Sequence, residues 1–219
     1  MLTYTEENYI KAIYHLSVDN KSVRTNAISE VMKTKPASVS DMLKKLSDKS
    51  YIHYEKYQGV SLTKKGKTEA LQVVRKHRLW EVFLVEKLTF NWDEVHEIAE
   101  QLEHIQSKLL IERLDSFLGF PTSDPHGDPI PNAKGEIPML KQIPLSETEI
   151  GTHCKVMGMK EHSPAFLQYL DKLGLNIGVS IAVVDRIVFD ASMELKVNNK
   201  KTTVVSYEVA KNILVSILD

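Results

Sequence analysis

Apolar residues recur at helical spacing from the start of the chain. Tyr9, Ile10, Ile13, Tyr14 and Leu16 share one face of residues 5–17, which predicts a helix opened by Thr5 with acidic residues in its first turn. A short second helix is expected over 25–32. Pro36 then begins a third, running to about residue 50, with Val39, Met42, Leu43 and Leu46 on its apolar face. Two short helices joined by a tight turn predict a helix-turn-helix. The following stretch alternates polar and apolar residues around Gln58 and Gly59, the pattern of a two-stranded hairpin that forms a wing.

The helical pattern returns over 67–87, and Asp93 is placed to cap one further helix reaching residue 118, with Ile98, Leu102, Ile105, Leu109, Ile111 and Leu114 on a broad apolar face. Two long apolar helices with no sheet to cover them call for a second copy of the chain, so a homodimer is expected. Residues 119–147 hold six of the eight prolines and read as a linker. Beyond them, strands are expected over 151–160, 180–190, 193–199 and 202–207, with a short helix over 164–173, which together suggest a small β-barrel. The fold class is therefore mainly α with a small β part, divided as 1–66 (winged helix-turn-helix), 67–120 (helical dimerisation and metal-binding domain), 121–147 (Pro-rich linker) and 148–219 (barrel).

Charge sharpens this picture once it is resolved along the chain. The net charge of −1 hides a basic first third, with 14 Lys and Arg against 8 Asp and Glu over 1–76, and an acidic middle, with 6 against 14 over 77–150. A basic module suits a polyanion such as double-stranded DNA and an acidic one suits a cation, although chance asymmetry explains the same split. The single cysteine, Cys154, excludes an intrachain disulfide and a thiolate-rich metal site, so a metal here takes oxygen and nitrogen ligands. With no apolar run of eighteen residues and no cleavable leader at the start, no membrane partner is expected and the location expected is cytoplasmic.

The sharpest chemical signal lies on the helix expected over 93–118. His96, Glu100, Glu103 and His104 would share one face there, with His77 and Glu81 one turn apart on the preceding helix. Crowded carboxylates repel, and a divalent cation relieves the repulsion. Two other readings of the same residues stand beside this one. The stripe is also what a solvated helix face looks like, and His77, His96 and His104 with a Glu base could make a metallohydrolase. No nucleophile elbow, phosphate loop or HExxH motif accompanies the cluster, so an enzyme is not expected.

Several motifs in order, TEENYIKAIYHL, KTKPASVSDMLKKL, YEKYQGVSLT, KHRLWEVFL, VHEIAEQLEHI and DPHGDPIP, make nearly the whole chain resemble the diphtheria-toxin-repressor family of metal-dependent regulators, and within it the manganese transport regulators. The resemblance implies a homodimeric repressor that binds palindromic operators of metal-uptake genes when metal is bound. It also implies a C-terminal barrel of the SH3-like or FeoA kind.

Carried over by position, the resemblance assigns a primary metal site to Asn8, Glu100, Glu103 and His104, and a second site to His77, Glu81 and His96. The DPHG loop adds Asp124 and His126 to the second site, with Glu161 or His162 from the barrel. Two metal sites per subunit follow. Iron sensors of the family often carry Met at position 8 and Cys at position 100. This chain has neither, and oxygen donors there favour Mn(II), with Fe(II) as the alternative. Manganese regulators commonly carry Asp in place of Asn8, and some carry a ligating Glu in place of Lys11, which cannot ligate.

On the DNA side, Pro36, Ala37, Ser38, Ser40 and Asp41 lie at the start of the expected recognition helix. Lys44 and Lys45, with Lys35 and with Lys56 and Gln58 of the wing, are expected at phosphates.

Overall fold

A computed structural model describes residues 2–17, 22–55 and 58–218; Lys56, expected at a phosphate, lies outside the described residues. The chain divides into two compact units, one formed by 1–77, 100–111 and 131–137, the other by 78–99, 112–130 and 138–219.

In the first unit, α1 (Tyr4–Leu16) starts one residue before the expected opening, and its cap is Thr3 in place of Thr5. The Thr3 hydroxyl accepts from the Glu6 amide while the Glu6 carboxylate accepts from the Thr3 amide, so this reciprocal cap sets the boundary and Thr5 lies inside the helix. Helices α2 (Thr25–Val31) and α3 (Pro36–Asp48) follow, α3 with Pro36 in its first turn where no amide partner is lost. Strands β1 (Ile52–Glu55) and β2 (Gly59–Leu62) pair antiparallel, Tyr54 opposite Val60, and Val23 bridges to Val60.

Gly59 takes φ +98°, and a Cβ there would sit 2.2 Å from Ser22 Oγ and 2.9 Å from the Val23 carbonyl oxygen, so the hairpin closes only on glycine. Ile10, Ile13, Ile28, Val39, Leu43, Leu46 and Val60 form the core of this winged module. The helical spacing read for α1 and α3 picked out five of the seven.

Helix α4 (Lys64–Leu88) is continuous through the end of the first unit, at His77, and the start of the second, at Arg78. The single helix expected over 93–118 is instead two, α5 (Val95–Leu102) and α6 (Lys108–Phe117). Tertiary capture breaks it. The Gln106 amide donates to the His104 carbonyl and to Glu7, His104 itself is held by Glu7, and Ser107 Oγ accepts from the Leu110 amide to cap α6. Glu103 and His104 therefore lie beyond the end of α5, and their expected place on the His96 face of one helix is corrected.

In the second unit, residues 121–130 form a tight loop in which Ser123 bridges Pro129. After it come β3 (Ile143–Pro144), β4 (His153–Met159), α7 (Pro164–Leu173), β5 (Ser180–Arg186), β6 (Met193–Val197), β7 (Lys201–Val205), the short α8 (Tyr207–Ala210) and β8 (Ile213–Ile217). The strands make one antiparallel sheet in the order β3-β8-β4-β5-β6-β7, an SH3-like arrangement whose two edge strands are not joined. Helix α7 covers the span expected for it. Cys154, Val156, Leu167, Leu170, Ile181, Leu195 and Val215 build the core, with Trp92 packed against it.

Candidate metal centre and DNA-reading surface

In the second unit, α4 brings Glu81 to the loop that carries Asp124 and His126. All three are buried, and one donor atom of each lies within 4.8 Å of the other two. The loop is built for this. Asp124 Oδ1 accepts from the amides of His126 (2.9 Å) and Asp128 (3.0 Å), turning the chain, and the His126 carbonyl accepts from the Met159 amide of β4. Gly127 takes φ +87° and lets the loop touch β4, since a Cβ there would fall 2.1 Å from the Met157 carbonyl oxygen.

His126 Nε2 lies 2.7 Å from the Trp92 carbonyl oxygen, which can only accept, so this nitrogen carries hydrogen and Nδ1 faces Glu81 Oε2 at 3.7 Å. A ligating imidazole needs this division of labour, one nitrogen oriented by a carbonyl and the other turned to the ion. Arg78 reaches Asp124 Oδ2 at 3.5 Å and Asp128 Oδ2 at 2.7 Å.

The electrostatics show a cluster that calls for positive charge. Burial, Glu81 and Asp128 push the Asp124 carboxyl up to about 7 against the pull of Arg78. Burial disfavours charge on His126, but the bond and charge of Glu81, together with Asp124, hold its imidazole up at about 9. A divalent ion can replace protons held in this way, and the oxygen and nitrogen donor set fits one.

Of the other expected second-site residues, His96 on α5 has Nδ1 3.5 Å from Glu81 Oε1. His162 stacks on His126 with ring centroids 4.8 Å apart; its Nε2 donates to the Met159 carbonyl, and burial holds its pKa down. Glu161 is exposed, and its carboxylate accepts from the Ser163 amide at the head of α7. His77 belongs to the first unit, where its Nδ1 donates to Glu103 at 2.6 Å. The lone thiol, Cys154, is buried in β4 and pushed up to about 11 by burial, so it supplies no thiolate.

The expected primary set is placed differently. Glu103 is fully buried, and its two oxygens face the Lys11 ammonium and His77. His104 Nδ1 donates to Glu7 at 2.6 Å; its buried Nε2 has no hydrogen-bond partner among the described residues and lies 3.5 Å from Glu103 Oε1. Asn8 is half-buried on α1. Among the described residues, Glu100, Glu103 and His104 do not bring their donor atoms together as Glu81, Asp124 and His126 do.

Along the sequence, Glu6 and Glu7 are distinguished only as acidic residues in the first turn of a helix. Their carboxylates diverge to different partners. Glu7 holds His104 and Gln106, while the fully buried Glu6 binds Lys49 at 2.7 Å and Lys45 at 3.0 Å at the end of α3. Lys45, expected at a phosphate, thus has its ammonium on Glu6. On α3, Pro36, Ala37, Ser38, Asp41 and Lys44 are exposed, Asp41 pairs with Lys44 at 3.6 Å, and the Ser40 hydroxyl donates to the Pro36 carbonyl. Lys35 and Gln58 are exposed.

Family models match in three consecutive stretches: an iron dependent repressor N-terminal DNA binding domain over residues 1–60, an iron dependent repressor metal binding and dimerisation domain over 63–132, and a FeoA domain over 143–217. The HTH-type transcriptional regulator MntR of Oceanobacillus iheyensis is 36% identical over 120 residues, 55% of this chain and 81% of its own length. The iron-dependent repressor IdeR of Mycobacterium leprae is 33% identical over 130 residues, 59% of this chain and 56% of its own length. A solved manganese-dependent transcriptional repressor in complex with manganese superposes with TM-score 0.85 at 32% identity, covering 97% of this chain and all of that one.

Proposed function

We propose, because this chain belongs to the iron-dependent repressor family of metal-dependent DNA-binding regulators, that its activating divalent cation is held by Glu81, Asp124 and His126. Members of this family are transcriptional repressors and not enzymes, which disposes of the metallohydrolase reading. The observation that carries the proposal is the convergence of three buried donors from α4 and the 124–126 loop around an imidazole whose outer nitrogen is already engaged.

His96 and His162 border the same centre, and His77 stands one helical turn before Glu81 on α4. When bound, the ion supplies charge that neutralises Glu81 and Asp124 and joins the helix to the loop. Manganese is the cation proposed, since the donors are carboxylate and imidazole and no thiolate is at hand. Ferrous iron is the second reading, favoured by the match to an iron-dependent repressor.

With this reading goes a homodimer in which residues 1–66 read DNA, 67–120 pair the subunits and supply Glu81, 121–147 link and supply Asp124 and His126, and 148–219 form the FeoA-like domain. At the start of α3, Pro36, Ala37, Ser38, Ser40 and Asp41 face the major groove, with Lys35, Lys44 and Gln58 at phosphates. Two such helices read a palindromic operator when their spacing matches about 34 Å, one turn of the duplex. Ion binding and DNA binding then favour each other by linkage.

The test is titration of duplexes, selected by the Mn(II)-loaded protein from a random library, against wild-type protein and His126→Ala, with Mn(II) and with EDTA. Manganese should tighten binding by wild type alone. Equal affinity with and without metal ends the proposal.

A further inference from the structure

Lys11 stands between two carboxylates of the first unit. Its side chain is 13% exposed, and its Nζ lies 2.6 Å from Oε1 and 2.8 Å from Oε2 of Glu103, and 3.4 Å from Oε1 of Glu100. The carboxylates stand 89 and 92 positions further along the chain, so the contact is a tertiary joint between α1 and residues 100–103. An ammonium offers three donors and one positive charge, which is what two adjoining carboxylates require.

The same residues fit a divalent ion poorly. The ammonium lies beside both Glu103 oxygens, hydrogen-bonded to Oε2, which His77 shares, and ion-paired without a hydrogen bond to Oε1, and the donor atoms of Glu100, Glu103 and His104 do not gather among the described residues. An ion entering here must either expel a partly buried, ion-paired ammonium or sit a few ångströms from a like charge. The tether works against the first course, because a covalently held cation returns at a high effective concentration.

We propose that Lys11 is the built-in cation of this joint: it holds α1 to Glu100 and Glu103 with or without metal and closes the Asn8–Glu100–Glu103–His104 set to a divalent ion. One manganese per chain then remains, at Glu81, Asp124 and His126. That count rests on the function proposed above; the lysine joint itself does not. A regulator built this way has its first unit assembled before metal arrives.

The test uses full-length protein dialysed against Mn(II), with bound manganese counted by mass spectrometry. Wild type and Glu100→Gln should each hold one ion per chain, and Lys11→Glu and Lys11→Gln should hold two. Loss of an ion in Glu100→Gln, or both Lys11 variants staying at one, overturns the proposal. Thermal melting in EDTA gives the second arm. Lys11→Met should lower the midpoint by about 5 °C or more, and an unchanged midpoint overturns the joint. A wild-type count untouched by Glu81→Gln strikes the proposed centre instead, while the melting arm still decides on Lys11.

Discussion

Glu7 accepts a hydrogen bond from His104 Nδ1 at 2.6 Å, tying the first helix to a residue 97 positions away. The same carboxylate accepts from the Gln106 amide at 2.7 Å, so one buried acid holds the turn that separates α5 from α6. Removing it strands the mostly buried His104 imidazole, whereas the exposed Gln106 amide can turn to water. We expect Glu7→Ala to cost about 2–4 kcal/mol, read from urea unfolding of the metal-free protein. A change below half a kcal/mol, within the scatter of about 0.5 for surface substitutions, would show that the contact is idle.

Glu6 makes stability depend on acid. Burial raises the pKa of its carboxyl, but bonds from Lys49, the Thr3 amide and Lys45 outweigh burial and hold it down at about 2, from an ordinary 4.5. A depressed acid contributes its full stability above its unfolded value and loses it as pH falls toward its folded value. The first unit should therefore weaken between pH 4.5 and pH 2, and Glu6→Gln should flatten that slope. Chemical denaturation of both proteins at stepped pH is the measurement, and parallel curves would refute the assignment.

At the metal centre, Asp124→Ala has two effects that separate by experiment. It removes a donor, and it removes the acceptor for the His126 and Asp128 amides, so the loop loosens. Manganese affinity by equilibrium dialysis should fall by about 100-fold or more, whereas His96→Ala, at an exposed ring beside Glu81, should cost about tenfold or less.

Gly127→Ala changes no donor. Its new Cβ would lie 2.1 Å from the Met157 carbonyl oxygen and 2.3 Å from Gly158 Cα, so the loop must lift from β4. We expect weaker manganese binding with the donor set intact, and retention of wild-type affinity would show that the loop's seat on the sheet is unimportant.

DNA contacts separate by salt. Lys44 is exposed on α3, and Lys44→Ala should reduce the slope of log affinity against log salt by about 1, the signature of one lost phosphate. Lys45, paired with Glu6, should lose folding stability on mutation to Ala with a smaller change in that slope.

Sequence alone determined the features that depend on near neighbours. The repeat of apolar residues marks α1, α3 and α7. The glycine at 59 marks a turn that no side chain fits, and a chain with one buried thiol leaves only oxygen and nitrogen for a metal. Only the tertiary structure decided what each acid does. Glu6, Glu7, Glu81, Glu100 and Glu103 look alike along the chain, yet one grips α3, one grips His104, one joins Asp124 and His126, and two enclose Lys11.

The break at 103–107 has the same origin, since local helical preference there yields to a carboxylate on a distant helix. Helical spacing is a property of the backbone over a few residues. The charge a buried group carries, and the cation it accepts, depend on which remote groups share its desolvated surroundings, and folding alone brings those together.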